Sequence, residues 1–312
     1  MKKTRIVFMG TPGFAVPSLK ILLDNEYEIA GVVTAPDKPA GRGMKTSESD
    51  VKKFARSRNL KILQPEKLKN PEFIWELKSL NADLQIVVAF RMLPEIVWNM
   101  PPMGTINLHA SLLPQYRGAA PINRAIMNGE KKTGVTTFKL QHEIDTGNIL
   151  MQQEITIDDD ETAGELHDEM MEKGAVLLLK TINGLVSGNL KEIDQQSAFN
   201  IQPLTFPLHH APKISTETCK IDWNKSTMEI YNLIRGLSPH PTAFTFLKEK
   251  KFKIFRAEKE KTKVIEIAGE IVSDNKTFLK FACSDGYISI KELQLEGKKK
   301  MNVADFIRGW RN

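Results

Sequence analysis

"RIVFMGTPGFAVPSLKILLDN", residues 5–25, passes from an unbroken apolar run through a Gly-Thr-Pro-Gly turn into a segment with helical periodicity. A run as short as Ile6–Met9, with no polar residue to mark an outward face, is the pattern of a strand covered on both sides. The pattern recurs downstream. "IAGVVTA" (29–35), "LQIVVAF" (84–90) and "GTINLHA" (104–110) read as strands. Between them "SDVKKFARSRN" (49–59), "PEFIWELKSL" (71–80) and "PEIVWNM" (94–100) read as helices, as does "AVPSLKILLDN" (15–25). Strands alternating with helices imply βαβ units and therefore an α/β fold with a doubly wound, mainly parallel sheet.

Two further strands, "TGVTTFKL" (133–140) and "NILMQQEITI" (148–157), precede a long helix at 163–186. From Asn189 to Ser215 the text is irregular, with Pro203, Pro207 and Pro212. Beyond it one amphipathic helix, "STMEIYNLIRGL" (226–237), leads into five short alternating runs between Thr242 and Leu293, which suggest a small β-barrel. The expected division is an α/β domain at 1–188, a linker at 189–208 and a C-terminal domain at 209–312. A chain of 312 residues is long enough for two cores.

Composition narrows the function classes. With 41% hydrophobic and 26% charged residues, the chain reads as a folded soluble protein rather than a disordered one. No stretch approaches the roughly 20 apolar residues of a spanning helix, and the apolar run near the start meets Gly-Thr-Pro too early for a secretory signal. A cytoplasmic protein without a membrane partner is expected. The cysteines, Cys219 and Cys283, are too few for a disulfide framework or a thiolate metal site. Residues 207–312 hold 20 Lys and Arg against 13 Asp and Glu, whereas residues 1–206 hold 24 against 25. A second surplus lies at 37–69, with ten basic and four acidic side chains. Such patches suit a polyanion, nucleic acid first among them, or form a solvated basic surface.

Several segments can carry chemistry. In "FMGTPGFA" (8–15), Gly10 and Gly13 allow backbone approach to a ligand, but G-x-x-G is not the dinucleotide fingerprint, and a tight strand-to-helix turn is the plain reading. In "GTINLHA", alternation puts Asn107 and His109 on one face and Ile106 and Leu108 on the other. An amide can donate to a developing oxyanion, and an imidazole exchanges protons near neutral pH. "EIDTGNIL" (143–150) places Asp145 in a turn. A single Asp-Thr-Gly in a chain that is not all-β does not make an aspartic protease, which needs two such carboxylates. "SLLPQYRGAAPINRAI" (111–126) is a loop followed by a helix. "TAPDKPAGRGMKTSESD" (34–50) lacks apolar periodicity and reads as a loop carrying Lys38, Arg42 and Lys45, able to grip phosphates or simply solvated.

These segments together resemble the methionyl-tRNA formyltransferases, a branch of the formyltetrahydrofolate-dependent formyltransferases. The resemblance rests on "RIVFMGTPGFAVPSL", "TAPDKPAGRG", "VVAFRMLP", "GTINLHASLLPQYRGAAPINRAI" and "EIDTGNIL" and runs over most of the chain. It implies a Rossmann-like catalytic domain and a C-terminal barrel resembling an oligonucleotide-binding fold. It implies 10-formyltetrahydrofolate as formyl donor, no metal, and initiator methionyl-tRNA as acceptor. Asn107, His109 and Asp145 become the catalytic set. Phe90, Arg91, Met92 and Leu93, with Ser111, Leu112, Leu113, Pro114, Tyr116, Arg117 and Gly118, match the segments that hold the folate. Lys38, Arg42 and Lys45 fall in the loop that faces tRNA. His142 departs from the small or apolar residue expected before the Asp145 turn and receives no role. A monomer is expected, since no sustained heptad is present. A sugar-nucleotide formyltransferase and a nucleic-acid-binding protein on a degenerate enzyme fold remain as alternatives.

Overall fold

In the computed structural model, which describes residues 3–40, 45–195 and 208–309, the opening apolar run forms β1 (Arg5–Gly10). Ile6, Val7, Phe8 and Met9 have no exposed surface, so both faces of the strand are covered. The chain continues through α1 (Val16–Asp24), β2 (Glu28–Val33), β3 (Lys38–Ala40), β4 (Lys45–Ser47), α2 (Asp50–Ser57), β5 (Ile62–Leu63), α3 (Pro71–Ser79), β6 (Leu84–Val88), α4 (Glu95–Trp98) and β7 (Thr105–His109). After β8 (Arg117–Gly118) and α5 (Pro121–Met127) come β9 (Lys132–Lys139), β10 (Ile149–Thr156) and α6 (Ala163–Val186).

The packing groups these residues, with the C-terminal part, into two compact units. One comprises Met1–Arg117, Gly134–Ile155 and Asp168–His210; the other comprises Gly118–Thr133, Thr156–His167 and Ala211–Asn312. The helix α5, read from sequence beside the loop at 111–120, packs within the second unit, where Asn123 Nδ2 donates to the Gly236 carbonyl at 2.7 Å.

The first unit is built on a seven-stranded sheet in the order β10-β9-β7-β6-β1-β2-β5. Pairing is parallel from β7 across to β5 and antiparallel between β7 and β9. From β1 the chain moves outward through β2 and β5, then returns to place β6 and β7 on the other side of β1. The carboxyl ends of β1 and β6 therefore flank the point where strand order reverses, the crevice in which open α/β sheets bind ligands. Helices cover both faces. Phe73 and Leu77 of α3 and Val97 of α4 pack with Val7, Met9 and Val87, and Gly174 of α6 comes so close to Leu108 that an added Cβ would lie 2.9 Å from its Cδ2. At the end of β1, a Cβ on Gly10 would lie 2.7 Å from that of Ala15 and 3.1 Å from the Val88 carbonyl oxygen. Gly10 is thus required by packing, as the plain reading of the turn held.

The stretch 34–50, expected to be irregular, contains the antiparallel pair β3–β4, with Lys38 opposite Ser47. Its connecting residues 41–44, Arg42 among them, lie outside the described residues. Ser49 anchors the far end. It caps α2 by accepting from the Lys52 amide at 3.0 Å, and its hydroxyl meets Thr34 Oγ1 at 2.7 Å.

Beyond β11 (His210–Ala211), the second unit contains the helix Thr227–Leu237 and an antiparallel sheet of β12 (Ala243–Leu247), β13 (Lys250–Lys261), β14 (Ile271–Ser273), β15 (Leu279–Cys283), β16 (Gly286–Leu295) and β17 (Met301–Asn302). The order β12-β13-β16-β15-β14, with β17 against β16, leaves the sheet a half-barrel. Register shifts around Arg256 bend it. Ile230, Ile234 and Leu237 of the helix pack with Phe252, Phe281 and Leu293, and Trp223 stacks on Phe281 at 4.5 Å. A short terminal helix, Val303–Gly309, closes this core through Phe306 and Ile307.

The helix Thr227–Leu237 starts with a capping box in which Ser226 accepts from the Glu229 amide and Glu229 from the Ser226 amide. The two hydrogen bonds from Ser226 pull the Glu229 carboxyl from its ordinary 4.5 to about 2. A carboxyl lowered on folding adds stability that is complete above the ordinary value and is lost as pH falls toward the lowered one. Ser226→Ala should cost about 1 kcal/mol in urea unfolding at pH 7, with the difference from the parent shrinking as pH approaches the lowered value. An unchanged midpoint at pH 7 would contradict the cap's role.

Candidate active site

The centre of the site is the C-terminal end of β7. Its alternation holds: Ile106 and Leu108 are buried against the core, while Asn107 and His109 emerge on the opposite face. Asn107 is half-buried, and its side-chain amide engages no hydrogen bond among the described residues. A polar amide at the mouth of the strand-end crevice is thus left with its donors unused.

His109 is 7% exposed. Its Nε2 lies 2.9 Å from the carbonyl oxygen of Tyr116. A carbonyl only accepts, so this bond assigns the proton to Nε2 and sets the tautomer. The other nitrogen, Nδ1, faces Asp145 Oδ2 at 3.8 Å, beyond a direct hydrogen bond but within ion-pair range. The edge of Phe138, the β9 partner of Asn107, closes the ring's remaining side at 6.5 Å. The structure therefore brings together the three residues that the resemblance named, with His109 between Tyr116 and Asp145.

Backbone strain marks the loops that do this. Ala89, Tyr116 and Asp145 have φ of 47°, 58° and 54°. A left-handed conformation costs a residue with a Cβ roughly 1–2 kcal/mol, and such outliers gather where a site over-determines the backbone. Ala89 follows β6 at the strand-order reversal and turns the chain into Phe90–Leu93. There Phe90 is half-buried, Met92 is exposed and Leu93 is buried in the core. Arg91 holds the segment in place, donating to the Glu66 carbonyl at 2.8 Å and to that of Pro65.

The 111–118 loop is fastened from below. Ser111 is fully buried and donates to the Gln115 carbonyl at 2.6 Å. Thr136 Oγ1 donates to the Ser111 carbonyl at 2.6 Å and accepts from the Leu113 amide at 3.1 Å, while Gln152 Nε2 donates to the Leu113 carbonyl at 2.8 Å. The Ser111 hydroxyl and the Leu113 backbone therefore serve the loop's own frame, and the Leu113 side chain clusters with Phe138 and Ile149, whereas Leu112 and Pro114 are half-buried. Tyr116 is buried, its hydroxyl 3.0 Å from His209 Nδ1. Arg117 is half-buried and donates to Gln195 Oε1; burial lowers its pKa, opposed by the charges of Asp145 and Glu143. Gly118, grouped with the folate residues on resemblance, packs in the second unit with φ of 123°.

Lys38 is exposed at the start of β3 and Lys45 opens β4. His142 is exposed and serves no visible role. Thr136, Gln152 and Gln195 went unnoticed in the sequence; each is a common polar residue whose importance lies in a partner distant along the chain. Among the described residues no group of three or more His, Cys, Asp or Glu is arranged to hold a metal.

A strand-end amide, a tautomer-fixed imidazole and a facing carboxylate on a doubly wound sheet form an arrangement that can carry out group transfer. Residues 4–182 match the formyl transferase family model and residues 213–311 match its C-terminal domain, so the chain belongs to the formyl transferase family. It is 52% identical to a methionyl-tRNA formyltransferase of Azobacteroides pseudotrichonymphae genomovar. CFP2, over 98% of this chain and 96% of that one. It is 50% identical to the methionyl-tRNA formyltransferase of Bacteroides fragilis, over 99% and 97%. Among solved structures, WlaRD, a sugar 3N-formyl transferase crystallised with dTDP and 5-N-formyl-THF, shares the fold with a TM-score of 0.67 at 23% identity, over 96% of this chain and all of that one.

The Asp145 turn has no room to spare. A Cβ on Gly147 would lie 1.7 Å from the carbonyl oxygen of Lys139 in β9. Gly147→Ala must displace the turn from β9, and a shift near 1 Å costs about 100-fold in rate. Formyl transfer by this variant is expected to fall at least that far; a folded variant with parental turnover would contradict the placement.

Proposed function

We propose that the protein transfers the formyl group of 10-formyltetrahydrofolate to the α-amino group of methionine esterified to initiator tRNA. The supporting observation is the presence of Asn107, His109 and Asp145 around one strand end in a chain about half identical, over its whole length, to methionyl-tRNA formyltransferases. The folate co-substrate fits what the crevice offers. Among the described residues the Asn107 amide is unengaged, Phe90 and Met92 stand at the point where strand order reverses, and the loop backbone is held by Arg91, Thr136 and Gln152. The folate brings an activated formyl carbon.

On this reading Asn107 donates to the oxyanion that develops when the amine attacks that carbon. His109, with Nε2–H committed to the Tyr116 carbonyl, exchanges the amine proton at Nδ1, and the Asp145 carboxylate steadies the charge on the ring. Phe90 to Leu93 and the 111–118 loop hold the folate. Residues 1–188 carry the chemistry, 209–312 take the tRNA, and 189–208 link them. Lys38, Arg42 and Lys45 meet the acceptor end of the tRNA. The protein works as a monomer in the cytoplasm. Among the described residues no helix is long and apolar enough to cross a membrane.

Removing one oxyanion donor typically costs on the order of 100-fold or more in rate. Asn107→Ala and His109→Ala should each lose at least that much kcat on methionyl initiator tRNA; near-parental turnover of either folded variant would sink the assignment. Arg42→Ala is expected to raise KM for tRNA and to flatten the dependence on salt concentration, leaving kcat nearly intact. Loss of kcat with unchanged tRNA affinity would show that the loop does something else.

A further inference from the structure

Gln195 lies in the stretch that the sequence presents as a linker, yet it is 1% exposed. Its Nε2 donates to the carbonyls of Asp145, at 3.0 Å, and Gly147, at 2.7 Å. Its Oε1 accepts from Arg117 Nε at 3.2 Å and Nη2 at 2.6 Å. Both amide protons and the amide oxygen are therefore in use, and a buried amide satisfied this fully is rigid and intolerant of change. Its partners are the carriers of His109's two neighbours. Arg117 directly follows Tyr116, whose carbonyl accepts from Nε2, and Asp145 presents the carboxylate opposite Nδ1.

We propose that Gln195 is a positioning residue for formyl transfer, bridging the Tyr116–Arg117 loop to the Asp145 turn and so setting where the carboxylate stands against His109. It rests on the reading of His109 and Asp145 as the reacting pair. Asp145 holds a left-handed conformation, and the Gln195 amide supplies two hydrogen bonds to the backbone of its turn. Because Gln195 comes from the segment that follows α6, docking of that segment completes the catalytic geometry.

The test is a double-mutant cycle in the full-length protein, with Gln195→Leu, Asp145→Asn and the pair assayed on 10-formyltetrahydrofolate and methionyl initiator tRNA. Gln195→Leu is expected to lower kcat about 10- to 100-fold, with KM for both substrates nearly unchanged. In the Asp145→Asn background it should cause almost no further loss, because the group it positions is already disabled. Should Gln195→Leu lack a cooperative thermal transition, Gln195→Glu goes through the same cycle. Glu keeps the length and the acceptor for Arg117 while removing the donors to Asp145 and Gly147. Parental kcat in the folded Gln195 variant, or losses that multiply across the two sites, overturns the proposal alone. Parental kcat in Asp145→Asn overturns the reading of the site and the proposal with it.

Discussion

The hydrogen bond from His109 Nε2 to the Tyr116 carbonyl commits one nitrogen of a buried imidazole to structure and leaves the other facing Asp145. Most of the surrounding architecture maintains it. The carbonyl reaches the ring because Tyr116 adopts a left-handed conformation, and that conformation persists because the loop is fastened at Ser111, Leu113 and Gln115. On the far side, Tyr116 receives His209, whose backbone carbonyl accepts from the Tyr116 amide at 2.7 Å. The loop that orients the imidazole is thus gripped by strands β9 and β10 from one direction and by the residues before β11 from the other.

What the sequence made legible follows from local rules. Two-residue alternation put Asn107 and His109 on one face, and the uninterrupted runs at 5–10 and 84–90 announced buried parallel strands. Asp145 as a turn residue was equally plain. Its approach to His109 was not, because it depends on β9 pairing antiparallel with β7 and leading into the turn before β10. Nothing in the spacing of residues 109 and 145 encodes that register. Gln195 was invisible for a related reason: an irregular polar segment offers no periodicity from which burial can be inferred. The two-residue β5 and the tail of β13 at Glu258–Lys261 were missed because pairing with a neighbouring strand, not apolar content, makes them strands.

The basic surplus at 37–69 also looks different once folded. Lys52 hydrogen-bonds Asp37 and pairs with Glu48, and Arg56 takes Glu48 as well. Lys52 holds the Asp37 carboxyl below its usual range, and Arg56 does the same for Glu48. Part of the positive charge therefore organises the base of the β3–β4 hairpin, while Lys38 stays exposed on it. These part-buried pairs tie the hairpin to α2. The fold is shared with a sugar 3N-formyl transferase.

The most direct measurement is a competition assay in which methionyl initiator tRNA and an amino-sugar nucleotide are offered together with 10-formyltetrahydrofolate. Formylmethionyl-tRNA as the sole product is the predicted result. Formylation of the sugar amine in preference to the tRNA would contradict the account, leaving the strand-end site intact and overturning the role given to the basic hairpin and the C-terminal unit.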